Sequence, residues 1–496
     1  MPPTYRNYID GKWIPSTSCH VIRDLNPADF RDCLGEFPES GPDEISQAVR
    51  AAHRAFASWR RVPAPARGEF VARWGELIAR DEEALARLIT MENGKTLQES
   101  KSEVKEAFDF ARFMSAQARL IEGSTFPSQH ERRLLMTLRQ PVGVTALITP
   151  WNFPILIPCW KLFPALICGN TVILKPAEEC PLAAHRLVEL AAEAGLAPGV
   201  VNLIHGSGEG TGRTLVKHPG VALVSFTGST ETGRRIAQEC ALSLKRHVLE
   251  LGGKNAQIVL ADADLTEAVE GAVVGAYKTT GQRCTATSRI IVEQTVAGSF
   301  SERFLERTKQ IRVGNGLDAN VDMGPLVSES RRKRVHAYVE AGRREGAHLL
   351  LGGYFYESEP LAQGAFYPPT VFDSVKPGMA IAREEIFGPV ICLMEAEDLE
   401  AALLDLNNNP YGLSASVYTS NMHTALEAVE RIEAGLVYIN SPTTGSELHM
   451  PFGGVKATGD GHREAGRYGL NIFSEWKSAY INYGRRVSRV ELQTPA

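Results

Sequence analysis

Residues 224–237, VSFTGSTETGRRIA, place an apolar strand pattern directly before a Gly/Ser turn and an amphipathic helix pattern. A turn of this kind leaves backbone N–H groups free at the beginning of a helix, where they can face a phosphate. Gly228, Ser229 and Gly233 are the residues that would allow that approach. An ordinary Gly/Ser turn with an N-cap would have the same sequence. The segment therefore predicts a strand, a turn and a helix, and phosphate binding is one of two interpretations of the turn.

Short β-branched runs alternate with amphipathic helix patterns on both sides of this unit. One series extends from 142–150 to 247–253, and a second extends from 254–260 to 428–440. Such alternation predicts two α/β domains, each with a mostly parallel sheet that is covered by helices on both faces.

Two further segments alternate like strands but belong to neither series. Residues 131–143 read ERRLLMTLRQPVG, and residues 477–486 read KSAYINYGRR. Strands without a neighbouring partner in the sequence usually pair elsewhere or across a subunit boundary. We therefore expect both segments to pair at a distance.

The composition excludes several classes of protein. Of 496 residues, 44% are hydrophobic and 22% are charged, and 53 Lys and Arg against 58 Asp and Glu give a net charge of −5. No basic stripe is visible, so no nucleic-acid partner is expected. Pro, Asn and Trp interrupt the longest apolar stretches, and the N-terminus has no apolar signal region. No membrane partner is therefore expected, and the protein is predicted to be cytoplasmic.

The cysteines and histidines give no metal signature. The eight cysteines are scattered without a C-x-x-C pair, and the twelve histidines include no H-E-x-x-H pattern. Reduced thiols and no metal site are predicted.

Cys284 differs from the other cysteines in its surroundings. It lies in the polar stretch 279–289, TTGQRCTATSR, between a helix pattern and a strand pattern. A free cysteine is most often a small buried apolar residue without a chemical role. A nucleophile needs partners, namely a base that activates water and a donor for an oxyanion.

Two other segments could bind a nucleotide. GSGEGTG, residues 206–212, has Thr211 where the third glycine of a dinucleotide fingerprint belongs, so it fails as that motif. Lys175 and Glu178 follow a strand pattern and could hold a ribose, although a solvated ion pair is the commoner explanation of such a pair.

Seven short motifs occur in the order and approximate spacing of one family. Together they make the chain resemble the NAD(P)-dependent aldehyde dehydrogenase superfamily over essentially its whole length. The motifs are PWNFP (150–154), KPAE (175–178), FTGSTETG (226–233), LELGGKN (249–255), GQRC (281–284), EEIFGP (384–389) and PFGG (451–454).

The resemblance implies a catalytic set. Cys284 matches the family's nucleophile, whose thiolate adds to the aldehyde carbon and forms a thiohemiacetal. Glu250 matches the base that activates water to hydrolyse the thioester, and its apolar neighbours should raise its pKa by desolvation. Asn152 matches the oxyanion donor, which works with the backbone N–H of Cys284. Outside the motifs, Glu250 reads as a strand-end ion-pair partner and Asn152 as an Asx-turn residue.

A proton relay is also implied. Lys161 and Glu475 match a family pair that helps Glu250 discharge its proton. The alternative interpretation is that both residues are solvated surface side chains without a role in catalysis.

NAD is the implied cofactor, with NADP as a weaker alternative. Glu178 would accept hydrogen bonds from both hydroxyls of the adenine ribose, and Glu385 would bind the nicotinamide ribose beside Phe387. The implied cofactor residues are Trp151, Lys175, Glu178, Gly208, Thr227, Gly228, Ser229, Gly233, Leu251, Glu385 and Phe387.

The resemblance also implies the architecture. The expected fold is α/β and aldehyde dehydrogenase-like, with a Rossmann-type cofactor domain (1–121 and 142–252) and an α/β catalytic domain (253–470). A small β oligomerisation arm (122–141 and 471–496) would extend a neighbouring subunit's sheet. A homodimer or homotetramer is expected.

The substrate is expected to be a small aldehyde, and a short acidic semialdehyde is the favoured class. GQRCTA and residues 441–466 resemble bacterial enzymes for 2-oxoglutarate semialdehyde, and GQRCTA also occurs in a non-phosphorylating glyceraldehyde-3-phosphate branch. Arg283 could bind the anionic end of such a substrate bidentately, or turn away into a structural ion pair. Thr285 and Phe452 complete the implied substrate set.

Four alternatives stay open. A CoA-acylating dehydrogenase is disfavoured by Glu250, and a non-catalytic structural protein is disfavoured by Cys284, Glu250 and Asn152. Uncharged aldehydes and amino aldehydes are further candidate substrates of a hydrolytic enzyme.

Overall fold

The computed structural model describes residues 2–484, which form three larger sheets, two two-stranded sheets and the helices around them. The strands are β1 (Asn7–Ile9), β2 (Lys12–Ile14), β3 (Val21–Leu25), β4 (Cys33–Pro38), β5 (Thr125–Phe126), β6 (Arg133–Pro141), β7 (Val144–Ile148), β8 (Thr171–Lys175), β9 (Val201–Leu203), β10 (Leu223–Thr227), β11 (Arg246–Glu250), β12 (Asn255–Val259), β13 (Thr287–Glu293), β14 (His348–Leu351), β15 (Thr370–Asp373), β16 (Val390–Ala396), β17 (Tyr411–Gly412), β18 (Ser414–Tyr418), β19 (Leu436–Ile439), β20 (Val455–Lys456) and β21 (Ser474–Asn482).

The helices lie mostly between these strands. They are α1 (Pro42–Trp59), α2 (Ala64–Arg80), α3 (Glu82–Asn93), α4 (Leu97–Gln117), α5 (Leu156–Ile167), α6 (Pro181–Glu193), α7 (Arg213–Lys217), α8 (Thr230–Ala241), α9 (Leu265–Tyr277), α10 (Gln294–Lys309), α11 (Glu329–Glu345), α12 (Ala380–Arg383), α13 (Leu399–Asn407), α14 (Met422–Arg431) and α15 (Gly469–Ile472). A π-helical turn covers Gly208–Gly212, and 3-10 turns cover Lys278–Gly281 and Leu361–Gln363.

The first sheet has the strand order β11-β10-β7-β8-β9-β1-β2. Strands β11 to β9 are parallel, and β1 and β2 complete the edge in antiparallel fashion. Every residue of β7 and β8 is buried, as expected for central parallel strands that are covered on both faces. The register places Thr227 opposite Glu250, so these two side chains lie at the carboxyl edge of the sheet. Ligands bind at this edge in open α/β sheets.

The second sheet has the order β14-β15-β16-β13-β12-β18-β19 and is parallel except for β14. Its central strand β13 begins at Thr287, three residues after Cys284. The carboxyl edge of the first sheet and the segment before β13 therefore supply the two sides of one site.

The third sheet has the order β21-β6-β5, and it contains the two segments that lacked a neighbouring partner. Strands β21 and β6 pair with each other in antiparallel register, from Ser474 opposite Pro141 to Asn482 opposite Arg133. The expected distant pairing is therefore made within the chain. Residues 485–496 of the predicted arm lie outside the described residues, and the predicted domain boundaries stay a prediction.

Candidate active site

Cys284 follows a turn of unusual backbone conformation. Thr279 and Thr280 have φ angles of 53° and 57°, a left-handed region in which side chains other than glycine are strained. The turn is held from outside because Glu99 Oε1 accepts the Thr279 N–H at 2.7 Å and Thr280 Oγ1 donates to Gly324 O at 2.9 Å. This support keeps the loop before the thiol in one shape.

The Cys284 thiol lies where two cavities meet, because it lines both of them. Burial raises the pKa of the thiol to about 12, and the nearby carboxylates of Glu385 and Glu250 contribute to the rise. The thiol is therefore protonated at neutral pH until a base removes its proton. The Cys284 carbonyl accepts a hydrogen bond from Asn255 Nδ2 at 2.7 Å, which fixes the backbone of the thiol residue.

Asn152 is buried beside the loop that carries the thiol. It follows β7 and precedes α5, and its Nδ2 donates to Gln282 O at 3.1 Å, two residues before Cys284. It lines the same cavity as Cys284. The amide can therefore turn from Gln282 towards an oxygen that is bound at the thiol.

Glu250 ends β11 and lies on the other side of the thiol. Its Oε1 is buried and has no hydrogen-bond partner among the described residues. Burial raises the pKa of this carboxyl well above its usual range, and the Glu464 carboxylate raises it further, while the Lys161 ammonium opposes them. A carboxylate with a raised pKa is a stronger base than an ordinary glutamate.

The predicted proton-relay pair, Lys161 and Glu475, is wrong in its second residue. The Lys161 ammonium donates to the carboxylate of Glu464, and it also donates to Ser225 Oγ at 2.9 Å. Glu475 is exposed on β21, opposite Gln140, and takes no part in the site. Backbone hydrogen bonds in both directions between Phe452 and Glu464 bring the Glu464 segment into the site.

One of the two cavities has a volume of about 120 Å³ and three aromatic side chains in its wall. All three predicted substrate residues line it, and Trp160 packs against Phe452 with ring centroids 5.1 Å apart. The lining residues that carry the argument are Glu106, Phe153, Trp160, Arg283, Thr285 and Phe452.

Two ionisable side chains line this substrate cavity in addition to Glu250 and Glu464. Arg283 Nε donates to Thr279 Oγ1 at 2.9 Å, and its Nη2 lies 3.7 Å from Glu99 Oε1, so the structural ion pair is present. Its Nη1 takes part in neither contact. Burial and the neighbouring Glu103 raise the pKa of Glu106 to about 7, although the Arg283 charge lowers it. Apart from Glu250 and Glu464, the cavity therefore offers one cation and one titratable carboxyl.

The second cavity, about 90 Å³, lies on the other side of the thiol and has the predicted nicotinamide-end residues in its wall. Trp151 and Phe387 meet edge to face with centroids 5.4 Å apart. The Gly253 N–H donates to Glu385 Oε1 at 3.0 Å, and burial raises the pKa of Glu385. The predicted residues in this wall are Trp151, Thr227, Gly228, Ser229, Leu251, Glu385 and Phe387.

A larger cleft of about 540 Å³ lies further along β10. Phe226 lines this cleft, and the next residue, Thr227, lines the second cavity. Glu178 and Gly208 line it, and Glu178 Oε1 accepts the Gly208 N–H at 3.2 Å. Lys175 Nζ lies 3.1 Å from Glu178 Oε2. Burial alone would raise the pKa of Glu178, but the Lys175 charge and these hydrogen bonds lower it, so the side chain is a charged acceptor.

The second cavity and the larger cleft adjoin the same strand end, at Thr227 and Phe226. An acceptor carboxylate lies at one end, Glu385 lies at the end near the thiol, and α8 begins between them after the Gly228-Ser229 turn. Gly233 has a packing role, because a Cβ there would lie 2.4 Å from Leu251 Cδ2. The smallest side chain at this position lets α8 approach the strand end closely.

Several residues of the site were missed by the sequence analysis. Glu99, Glu103 and Glu106 lie on one face of α4, and their spacing of four and three residues is the signal that places them there. Glu464 was missed beside the predicted Glu475. Arg331 and Arg334, which line the second cavity, were also missed, as was Lys95, which lies behind the walls and contacts Asn152.

No helix within residues 2–484 is long and apolar enough to cross a membrane. The same residues contain no group of three or more His, Cys, Asp or Glu side chains arranged to hold a metal ion. All eight cysteines, which lie within this range, are free.

The fold and the site define an α/β enzyme whose buried thiol lies between two small cavities, with a larger cleft further along β10. The chain belongs to the aldehyde dehydrogenase family, whose model matches residues 13–479. The predicted family membership is therefore confirmed.

Similar proteins extend over nearly the whole chain. An alpha-ketoglutaric semialdehyde dehydrogenase of Bacillus subtilis is 40% identical, covering 96% of this chain and 98% of its own length. A 2,5-dioxopentanoate dehydrogenase of Saccharolobus solfataricus is 42% identical, covering 96% and 99%. The crystal structure of betaine aldehyde dehydrogenase from Staphylococcus aureus in complex with NAD+ has a TM-score of 0.95 and 34% identity, covering 99% and 97%. The predicted aldehyde dehydrogenase-like α/β fold is confirmed.

Proposed function

We propose that the protein oxidises an aldehyde to its carboxylic acid with NAD, through a covalent bond to Cys284. The observation that carries this proposal is the position of Cys284 between two cavities, with Glu250 in the wall of one and Asn152 in the wall of the other. A nucleophile, a base and an oxyanion donor at one point are the groups that acyl chemistry on a thiol requires.

The chemistry begins with removal of the thiol proton. Burial raises the pKa of Glu250, so in its charged form Glu250 is a stronger base than an ordinary glutamate and can accept the proton of the Cys284 thiol. The thiolate then adds to the aldehyde carbon, and Asn152 Nδ2 and the Cys284 N–H stabilise the negative oxygen of the thiohemiacetal. When bound, NAD supplies the hydride acceptor that converts the thiohemiacetal to a thioester.

Hydrolysis completes the cycle. Glu250 removes a proton from water, the resulting hydroxide attacks the thioester carbonyl, and the acid leaves as the thiol is restored. The proton is passed from Glu250 towards the Lys161–Glu464 pair, which replaces the predicted Lys161–Glu475 pair. A charged Glu250 beside the thiol favours water over CoA as the acyl acceptor.

NAD is held along the cleft by this chain's own groups. Glu178 would accept hydrogen bonds from the adenine ribose, with Lys175 beside it, and Glu385 would accept them from the nicotinamide ribose. The first amides of α8 would face the pyrophosphate. The similar betaine aldehyde dehydrogenase, which was crystallised with NAD+, supports this choice of cofactor.

The proposed substrate is a short acidic semialdehyde such as 2-oxoglutarate semialdehyde. Two similar enzymes carry the names of this substrate class, and Arg283 faces the cavity with Nη1 outside its two structural contacts. The second candidate is a cationic amino aldehyde, which Glu106 would favour when it is charged. An uncharged aldehyde would use neither group.

The test is a set of kinetic measurements on the purified enzyme. NADH formation is followed with aldehydes of equal chain length that end in a carboxylate, a methyl group or an ammonium group. The proposal predicts the highest kcat/KM for the carboxylate. Preference for the ammonium substrate would support the second candidate, and no NADH formation with any aldehyde would refute the enzymatic function.

We also propose that the arm formed by β5, β6 and β21 joins subunits into a homodimer or homotetramer in the cytoplasm. Large apolar side chains on it are exposed, which is unusual for a face that meets only water. They are Phe126, Leu134, Leu138, Trp476, Tyr480 and Ile481. Light scattering of the wild type and of a Trp476→Glu variant tests the proposal, which predicts smaller particles for the variant.

A further inference from the structure

Lys95 and Glu103 form an ion pair that the mechanism above does not use. Lys95 Nζ lies 2.7 Å from Glu103 Oε2, and neither side chain has any exposure to solvent. Two charges are seldom withdrawn from water without strong local hydrogen bonding, because the desolvation of each ion is expensive. The partners of this pair therefore indicate what it does.

The ammonium of Lys95 binds the backbone of the oxyanion donor. Its Nζ donates to Asn152 O at 2.6 Å and lies 4.3 Å from the centre of the Phe153 ring. Together with Glu103, these contacts occupy three sides of the ammonium. The peptide that carries Asn152 is thus bound to a rigid cation rather than to water.

The carboxylate of Glu103 binds the same segment three residues later. Its Oε1 accepts the N–H groups of Ile155 at 2.9 Å and Leu156 at 3.1 Å, where α5 begins. The N-cap residue of α5, Ile155, has no side-chain cap of its own. Glu103 therefore serves as a cap supplied by α4, and the ion pair holds the segment between β7 and α5 at Asn152 and at the beginning of α5.

We propose that Lys95 and Glu103 are positioning residues that aim the side-chain amide of Asn152 at the oxygen of the Cys284 adduct. The proposal rests on the proposed role of Asn152 as oxyanion donor. A purely structural pair would stabilise the fold without affecting the rate at which the bound aldehyde reacts. A pair that aims Asn152 affects that rate only while Asn152 is present.

A double-mutant cycle separates these roles. The variants are Lys95→Met, Asn152→Ala and the combination, and the measurement is the rate of NADH formation in a single turnover with saturating aldehyde and NAD. We expect Asn152→Ala to lower this rate by about 100-fold or more, as for loss of one oxyanion donor. We expect Lys95→Met to lower it by about 10- to 100-fold through misplacement of Asn152. In the Asn152→Ala background, Lys95→Met should change it by less than about threefold.

Three controls accompany the cycle. NAD affinity and KM for the aldehyde should change little in Lys95→Met, because Lys95 lines neither cavity. Lys105→Met makes the same chemical change on the exposed face of α4, where Lys105 pairs with Asp109, and should leave the rate unchanged. Lys95→Met leaves Glu103 buried without its cation, so the cycle is also run with Lys95→Met/Glu103→Gln, which buries no unpaired charge.

Three results would refute the positioning role of Lys95 and Glu103, and only the first of them also refutes the oxyanion role of Asn152. If Asn152→Ala leaves the single-turnover rate unchanged, the oxyanion role of Asn152 fails and the positioning role fails with it. If Asn152→Ala lowers the rate, but Lys95→Met lowers it by the same factor with and without the Asn152→Ala change, Lys95 does not act through Asn152. An unchanged rate in both Lys95 variants also refutes the proposal.

Discussion

Lys161 and Glu464 form an ion pair across 303 residues of sequence, and both side chains are almost completely withdrawn from solvent. The pair lies beside Glu250, whose pKa the Glu464 carboxylate raises and the Lys161 ammonium lowers, although burial has the largest effect. The proton affinity of the proposed base is thus adjusted by a residue on a distant segment.

Glu464→Gln should shift the pH dependence of kcat. Removing this carboxylate takes away a negative charge that raises the pKa of Glu250, so the pKa falls and Glu250 stays charged at lower pH. The acid limb of the kcat profile should move to lower pH. Glu475→Gln is the matched control, because the side chain of Glu475 is exposed and should leave the profile unchanged. Equal shifts in both variants would contradict the assignment of Glu464.

The affinity for an acidic semialdehyde should depend on the ionisation of Glu106. Burial and Glu103 raise the pKa of Glu106 to about 7, with Asp109 and Glu447 contributing to the rise, and Arg283 lowers it. Below pH 7 the carboxyl is neutral, and above pH 7 its charge repels an anionic substrate and competes for Arg283. KM should rise at least about threefold between pH 6 and pH 8. KM should not rise in this way in Glu106→Gln, nor in the wild type with an uncharged aldehyde of the same length. A similar rise of KM in either control would contradict this explanation.

Arg283→Met should separate charged from uncharged substrates. Loss of a charge-assisted hydrogen bond weakens binding by about 1.5–3 kcal/mol, or roughly 10- to 100-fold in KM for the acidic semialdehyde. Initial rates with an uncharged aldehyde of equal length provide the comparison and should give a nearly unchanged KM. An equal rise for both substrates would mean that Arg283 only supports the Thr279 turn through its contacts with Thr279 and Glu99.

The choice of cofactor should depend on Glu178. Its charged carboxylate suits two ribose hydroxyls, whereas the 2′-phosphate of NADP would meet like charge. The wild type should therefore prefer NAD by at least about tenfold in kcat/KM. Glu178→Ser should move this ratio towards NADP, which kinetics with each cofactor at saturating aldehyde will measure. A wild type that prefers NADP, or a substitution without effect on the ratio, would show that Glu178 does not select the cofactor.

The sequence motifs located the groups that lie at strand ends and in loops. Cys284, Glu250 and Asn152 each stand in a short motif next to a strand pattern, and chemistry at such positions leaves a local signature. The choice between Glu464 and Glu475 is different. The two glutamates are close in the sequence, and only the backbone pairing of Glu464 with Phe452 decides which one reaches Lys161.

The carboxylates of α4 show a second limit. In the sequence, Glu99, Glu103 and Glu106 belong to the charged run ESKSEVKE, which is typical of a solvated helix face. Packing of α4 against α5 turns that face towards the site, where Glu103 pairs with Lys95. A helix pattern identifies which residues share a face, but tertiary packing decides what the face contacts.

The most direct test of the proposed covalent mechanism is a rapid-mixing measurement of NADH formation by Glu250→Gln. We expect a burst of at most one NADH per active site, followed by a stall, because the thioester forms on Cys284 and water is no longer activated. Cys284→Ala, in which a small side chain replaces the thiol, should bind NAD and give no burst. Steady-state turnover of Glu250→Gln at the wild-type rate, or dehydrogenase turnover of Cys284→Ala above a few per cent of the wild type, would contradict the mechanism.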